Sequence, residues 1–596
     1  MDEFAAIRAE LSGYRYADYL RALPEVRKRS SGKPIRIAFP RSYTLEALAP
    51  LLELRLHLEG FAAEFFFGGY SQFVQEIVNS ESELYRFQPD LVVLCTRVEE
   101  LMPDFIESFG SSDQNWIAAM DAKASELAGL AGALREKSDA QVAIQNLCPP
   151  VDAYWGAYDV QLPESQSQCI ASFNRTLAES LSGLAGVYVW DFEGFVRRIG
   201  FDQLYDPKMF YLSMNPFRQQ SLPLVAEDLS RYLLSMLGKA NKCIVLDLDN
   251  TLWGGIVGED GFDGIELGHS YPGNCFRDFQ TKLLSLWNRG VILAINSKNN
   301  AADALRVIDD HPYMVLRREH FAAMEINWSD KATNMRALAS TLNIGLDSMI
   351  MLDDSPAECE LLRQLVPECH VVNIPEQPYL IPGLVARLPL LENLRLTAED
   401  RSKGKMYRQQ AARHGLQASF SDVGEFLRSL DLRVTIDAAT SFSIPRIAQL
   451  TQKTNQFNVT TRRYSETEIE RLASEPATEV FAVSVCDRFG DNGIVGVIIL
   501  NYESRECHID TLLLSCRVIG REVETAMVSF LAGRAQHRGA STLVGRFVAT
   551  PKNAPAADLY SRLGFEKVDE STFRADLETE QFEWPEFIGR ADPDAD

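Results

Sequence analysis

The run CIVLDLD (243–249) ends in Asp247 and Asp249 and is otherwise apolar on both faces. A strand of that kind has to be covered by helices on both sides, which points to a parallel sheet inside an α/β domain. The segments that follow keep the pattern. CFRDFQTKLLSLWNRG (275–290) has helical spacing and ends on a Gly cap, VILAINS (291–297) reads as a strand, and AADALRVIDDH (301–311) as a helix. DKATNMRALASTLN (330–343) is a further helix and DSMIMLDD (347–354) a further strand. The order is that of a Rossmann-like, doubly wound sheet, and such sheets bind ligands at the carboxyl ends of their strands. Asp247 and Asp249 stand at such an end, where two carboxylates are costly without a cation. An Asp pair that merely caps the next turn is the structural alternative. Against it, Ser297 ends the next strand, Lys331 opens a helix after Asp330, and Asp353 with Asp354 ends a third strand.

Three domains are expected from 596 residues, more than one core usually organises. Alternating strands and helices, including IRIAF (35–39), LEALAPLLELRLHLEG (45–60), DLVVLC (90–95), QVAIQN (141–146) and VYVWDF (187–192), give an α/β domain over 1–238. The central domain spans 239–385, a charged helical connector 386–425, and a strand-rich domain 426–580, before a mobile acidic tail over 581–596. A net charge of −24 excludes a general nucleic-acid binder. No apolar run is long enough to cross a membrane, and the first residues lack a signal-peptide core, so a cytoplasmic protein without membrane association is expected. Ten scattered cysteines without a CxxC pair argue against zinc and against a disulfide framework.

The central motifs resemble the haloacid dehalogenase (HAD) superfamily: DLDNTLW (247–253) matches DxDxT, and Ser297, Lys331 and LDDSP (352–356) match the three later motifs. The resemblance implies that Asp247 is the nucleophile and forms an aspartyl phosphate, with Asp249 as general acid and then general base. It implies Mg²⁺ at Asp247, Asp249, Asp353 and Asp354, with Thr251, Ser297 and Lys331 binding phosphate; for Asp354 a structural role stays open. About twenty residues separate Thr251 from the helix at 275, too few for a large cap domain. Such an open site suits a large acceptor.

Longer strings, CIVLDLDNTLWGGIVGEDG (243–261), SKNN (297–300), INWSDKATN (326–334), TQKTNQFNVTTRRY (451–464) and DRFGDNGIVG (487–496), are similar to the FkbH-like family over nearly the whole chain. That resemblance implies a phosphatase and glyceryl transferase. It would take 1,3-bisphosphoglycerate, a phosphorylated small molecule, remove its phosphate and load the glyceryl unit onto the phosphopantetheine arm of an acyl carrier protein in polyketide-type biosynthesis. Family members commonly read CSKN, with a cysteine thought to hold the glyceryl group; here Asn296 precedes Ser297, and an amide is no comparable nucleophile. Direct transfer to the carrier thiol, a different substrate or reaction, and loss of transfer all remain open. A phosphatase for another metabolite and a non-catalytic scaffold are the rival functions. Cys243, four residues before Asp247, is a substitute thiol or a packed core residue.

The first domain resembles the SGNH-hydrolase-like domain of that family. Ser42 sits where a nucleophile would stand, but His57 is the only histidine before residue 269, so the domain reads as scaffold or carrier surface. The last domain resembles a GNAT acetyltransferase. Arg517 and Gly520 are in place for CoA or pantetheine binding and Tyr560 for a general acid, while Glu522 replaces a small residue and argues against CoA. Arg462 with Arg463, or Arg317 with Arg318, offers a basic patch for an acidic carrier or is ordinary solvated surface.

Overall fold

A computed structural model describes residues 4, 7, 10–29, 32–111, 113–388, 390–395, 398–417, 420, 422–550 and 553–590. The chain divides into two compact units, Glu3–Leu237 and Gly238 onward. In the first, β1 (Lys33–Phe39), β2 (Phe61–Phe67), β3 (Leu91–Leu94), β4 (Gln141–Gln145) and β5 (Val187–Trp190) form one parallel sheet in the order β2-β1-β3-β4-β5. Strand order reverses between β1 and β3, so the carboxyl edge there is a natural ligand crevice. The helix Ala49–Leu58, part of LEALAPLLELRLHLEG, turns no stripe of leucines to solvent. Leu51, Leu52, Leu54, Leu56 and Leu58 are all buried, because the helix packs against Tyr16–Arg29, β2 and Leu222–Met236 together.

The second unit contains the central sheet and the C-terminal sheet. The central sheet is parallel throughout, in the order β10-β9-β6-β7-β8, from β6 (Cys243–Leu246), β7 (Ile292–Ser297), β8 (Phe321–Ile326), β9 (Met349–Asp353) and β10 (His370–Asn373). Every residue of β6, β7 and β9 is buried, which matches their unbroken apolar runs. Helices cover both faces, with Phe276, Phe279 and Leu283 packing on one and Met335, Leu338 and Leu342 on the other.

The third sheet is mixed: β11 (Leu432–Ala438), β12 (Phe457–Asn458), β13 (Thr478–Asp487), β14 (Gly490–Glu503), β15 (Glu506–Leu514), β16 (Thr542–Arg546), β17 (Glu566–Lys567), β18 (Thr572–Asp576) and β19 (Ile588–Arg590). It has the GNAT-like α+β arrangement, with antiparallel β13-β14-β15 followed by β16 parallel to β15 over Glu506–Ile509. Beyond that point β12 takes up the pairing of β15, at Leu513 and Leu514. The expected mobile tail starts too early at 581, because Ile588–Arg590 adds a parallel strand to β11; residues 591–596 of that tail lie outside the described residues. The connector contains the helix Ala398–Gln417, which packs against β8, Lys331–Leu342 and β14, and the helix Val423–Ser429 begins before the connector's expected end. Among the described residues no helix is long and apolar enough to cross a membrane.

Candidate active site

β6, β7 and β9 lie side by side, so their carboxyl ends deliver Asp247, Ser297 and Asp353 to one edge. Lys331 arrives from the next helix. The Asp330 carboxylate accepts from the Thr333 N–H at 2.8 Å and from its hydroxyl at 2.7 Å, an N-cap that starts the helix at Lys331. The Lys331 Nζ donates to Asp247 Oδ2 at 2.8 Å and also to Asp353 Oδ2. Burial opposes the ammonium charge, and the two carboxylates overcome it and raise its pKa.

Carboxylate oxygens of Asp247, Asp353 and Asp354 lie within 4.8 Å of one another. Burial pushes Asp353 up, and the neighbouring Asp247 adds to it; burial, then Asp247 and Asp353, push Asp354 up to about 6. Asp247 Oδ1 is buried and has no hydrogen-bond partner. Three converging carboxylates against one ammonium leave a surplus of negative charge with hard oxygen donors, a set that suits a hard divalent cation.

Asp249 stands apart from that cluster. Its Oδ1 accepts from Trp253 Nε1 at 2.8 Å and Val257 N at 3.1 Å, and its Oδ2 from Asn299 Nδ2 at 2.8 Å. Burial raises its pKa, while these three donors favour the ionised form. Asn299 and Trp253 were not assigned roles from sequence, although both lie inside the strings DLDNTLW and SKNN; their signal was adjacency to the motif residues. Thr251 is fully buried with an unpartnered hydroxyl, and Ser297 is 1% exposed at the end of β7. Residues 251–272 form one short turn of helix and a Gly254–Glu266 bridge, and among the described residues no cap domain stands over the site.

The other candidate residues are held by contacts elsewhere in the chain. Asn296 is fully buried, its Nδ2 donates to the Lys331 carbonyl at 2.9 Å, and it holds the helix start instead of presenting a transfer group. Cys243 is fully buried in β6, and burial pushes its thiol pKa far up, so it is core and not a substitute nucleophile. Tyr560 is 1% exposed, packs on Phe565 and Phe573 at 5.0 and 5.3 Å, and burial raises its pKa, which rules against a general acid in contact with ligand. Arg517 is 3% exposed and lies on Met406, while Arg521 bonds Gln410; the connector helix therefore occupies the Arg517–Gly520 loop expected to grip CoA or pantetheine. The arginine pairs are engaged within the chain. Arg462 pairs with Asp510, Arg463 donates to the Gln452 carbonyl, Arg318 pairs with Asp309, and Arg317 donates to the Ile308 carbonyl. Ser42 has no histidine beside it: its hydroxyl lies 3.3 Å from Glu100, and His57 sits in a helix against Glu53.

Two family models match the chain: the FkbH N-terminal domain over residues 52–232 and the NLI interacting factor-like phosphatase over residues 242–372. Among solved structures, the N-terminal part of protein BF1531 from Bacteroides fragilis, containing a phosphatase domain complexed with Mg, is 27% identical. The match covers 64% of this chain and 100% of that one, with a TM-score of 0.58. The ribosomal-protein-S18-alanine N-acetyltransferase from Escherichia coli is 16% identical over 24% of this chain and 90% of that one, with a TM-score of 0.20. No curated protein matches the chain.

Proposed function

We propose that this chain, an FkbH-like protein with a HAD-type phosphatase domain, is a Mg²⁺-dependent enzyme that dephosphorylates a phosphorylated three-carbon acid and hands its acyl unit directly to a carrier-protein thiol. One observation carries the phosphatase reading: Lys331 joins the buried Asp247 and Asp353, which with the half-buried Asp354 form a cluster of three carboxylates at the carboxyl edge of the sheet. Asp247, Asp353 and Asp354, with the backbone carbonyl of Asp249, would hold Mg²⁺, which withdraws charge from the phosphoryl oxygens.

Asp247 attacks phosphorus and the ester oxygen leaves, taking a proton from Asp249. Asp249 then removes a proton from water, which releases phosphate from the aspartyl phosphate. Lys331 and Ser297 bind phosphoryl oxygens and neutralise the charge that gathers there. With 1,3-bisphosphoglycerate this chemistry acts on the monoester. The acyl phosphate remains for the carrier thiolate, whose sulfur bonds to the carbonyl carbon as the second phosphate departs. No enzyme thioester is required, which accommodates the buried Asn296 amide.

The same burial favours a second reading, release of phosphate without acyl transfer. The two separate by intact mass of an acyl carrier protein after incubation with this enzyme, Mg²⁺ and freshly generated 1,3-bisphosphoglycerate, with Asp247→Asn as control. A glyceryl adduct on the phosphopantetheine that is absent in the control supports transfer; phosphate release without an adduct leaves a phosphatase. No phosphate release from 1,3-bisphosphoglycerate or from p-nitrophenyl phosphate would defeat both.

A further inference from the structure

The first unit holds a cavity of ≈ 280 Å³ at the carboxyl edge of its own sheet, formed where the chain leaves β3, β4 and β5 at Thr96, Gln145 and Phe192. This is the edge at which a sheet of that strand order binds ligands. The polar end of the cavity is rich in donors. Thr96 is fully buried and its Oγ1 has no hydrogen-bond partner; Arg97 Nη1 is buried and likewise makes no hydrogen bond. Gln145 is 2% exposed, and its Oε1 accepts from the Tyr43 hydroxyl at 2.6 Å, so its carbonyl end is already engaged and the amide N–H₂ is the end left to serve a ligand. Buried donors of this kind call for an acceptor.

The acceptor they fit is uncharged. Arg97 is compensated by Glu99 at 2.7 Å and Glu100 at 3.7 Å, and Asp206 also lines the cavity, so an anion meets surplus carboxylates. A cation finds no free carbonyl at the polar end, where Gln145 Oε1 is engaged by Tyr43, and Arg97 already occupies the aromatic face of Phe210 at 4.3 Å. The remaining walls are apolar, from Phe192, Phe201 and Tyr205, and the rim is Val151 and Tyr211, 60% and 84% exposed. At the ~30 Å³ that a water takes in the liquid, the space accepts about ten non-hydrogen atoms.

We propose that this cavity binds an uncharged amide or ester, its carbonyl oxygen on Thr96, Gln145 and Arg97 and its apolar end leaving over Val151 and Tyr211, and that it does so without cleaving it. Cleavage lacks a histidine base: Ser42 Oγ accepts from the Arg97 N–H at 3.1 Å and donates to the Glu100 carboxylate at 3.3 Å, with no histidine in reach. The site is independent of the phosphatase chemistry.

The test is titration calorimetry on the full chain with N-hexylacetamide, heptanoate and heptylammonium as matched neutral, anionic and cationic probes. N-Hexylacetamide is expected to bind at least tenfold more tightly than either ion and to be recovered intact. Thr96→Val should weaken it at least fivefold while turnover of p-nitrophenyl phosphate stays unchanged. Tyr211→Ala, a surface change that leaves the core alone, should weaken it at least threefold. Absence of amide binding, an ion that binds as tightly, hydrolysis of the amide, or affinity unchanged in a folded variant overturns the proposal.

Discussion

Replacing Lys331 with methionine removes the ammonium that Asp247 and Asp353 share, in a site where the three side chains are 4%, 11% and 0% exposed. The methionine keeps much of the stem volume, so the change is chiefly electrostatic. At 2.8 Å and an effective dielectric of about 20, Coulomb's law gives roughly 6 kcal/mol for one such pair. Burial of the ammonium works against that gain, and removing one partner of a buried pair typically costs ~3–5 kcal/mol. At about 2 °C per kcal/mol for a large unit, the melting transition of the Gly238-onward unit should fall by roughly 6–10 °C in EDTA. Mg²⁺ brings positive charge to the same carboxylates, so saturating Mg²⁺ should recover much of that deficit. Turnover should fall about 10²–10³-fold even in Mg²⁺, since the oxygens of the transferring group lose a donor. Scanning calorimetry in EDTA and in Mg²⁺, with p-nitrophenyl phosphate turnover alongside, reads all three. Transitions that coincide in EDTA, or a deficit that Mg²⁺ leaves untouched, would refute the view that Lys331 balances this carboxylate cluster.

Asn299→Leu removes a donor to Asp249 while leaving the metal-side carboxylates intact, and should lower kcat roughly 10-fold with little change in KM, as expected for a residue that orients a proton-transfer group; a change confined to KM would contradict that role. Tyr560→Phe should leave stability within about 0.5 kcal/mol and turnover unchanged, since the hydroxyl is buried without a side-chain partner; a loss of activity would revive the general-acid reading. Glu479 is opposed by burial but held below its usual pKa of 4.5 by Arg534, Tyr502 and Arg538. A depressed folded pKa stabilises above the unfolded value and is lost as pH falls through the folded one. The melting difference between wild type and Glu479→Gln should therefore be constant from pH 5 to 7 and shrink below about pH 4.5, and a difference that grows on acidification would be the wrong sign.

By itself the sequence determined the central sheet and the positions of its reactive groups. CIVLDLD, VILAINS and DSMIMLDD are apolar because both faces of β6, β7 and β9 are covered, and Asp247, Asn296 with Ser297, and Asp353 are the first polar groups at their carboxyl ends. Such information is local, carried by run length, caps and spacing, so it survives without knowledge of what lies opposite. Tertiary structure decided everything that depends on a distant partner. Asn296 became a brace because its amide meets the Lys331 carbonyl 35 residues on, and Tyr560 became core because Gly545 leaves room for its ring. The same holds for Arg517, which faces Met406 of the connector helix, 111 residues earlier in the chain. The residues around Thr96 carry no motif, and only the convergence of β3, β4 and β5 brings them together. The physical reason is that a hydrogen bond or a packing contact belongs to two residues, and chain position describes only one of them.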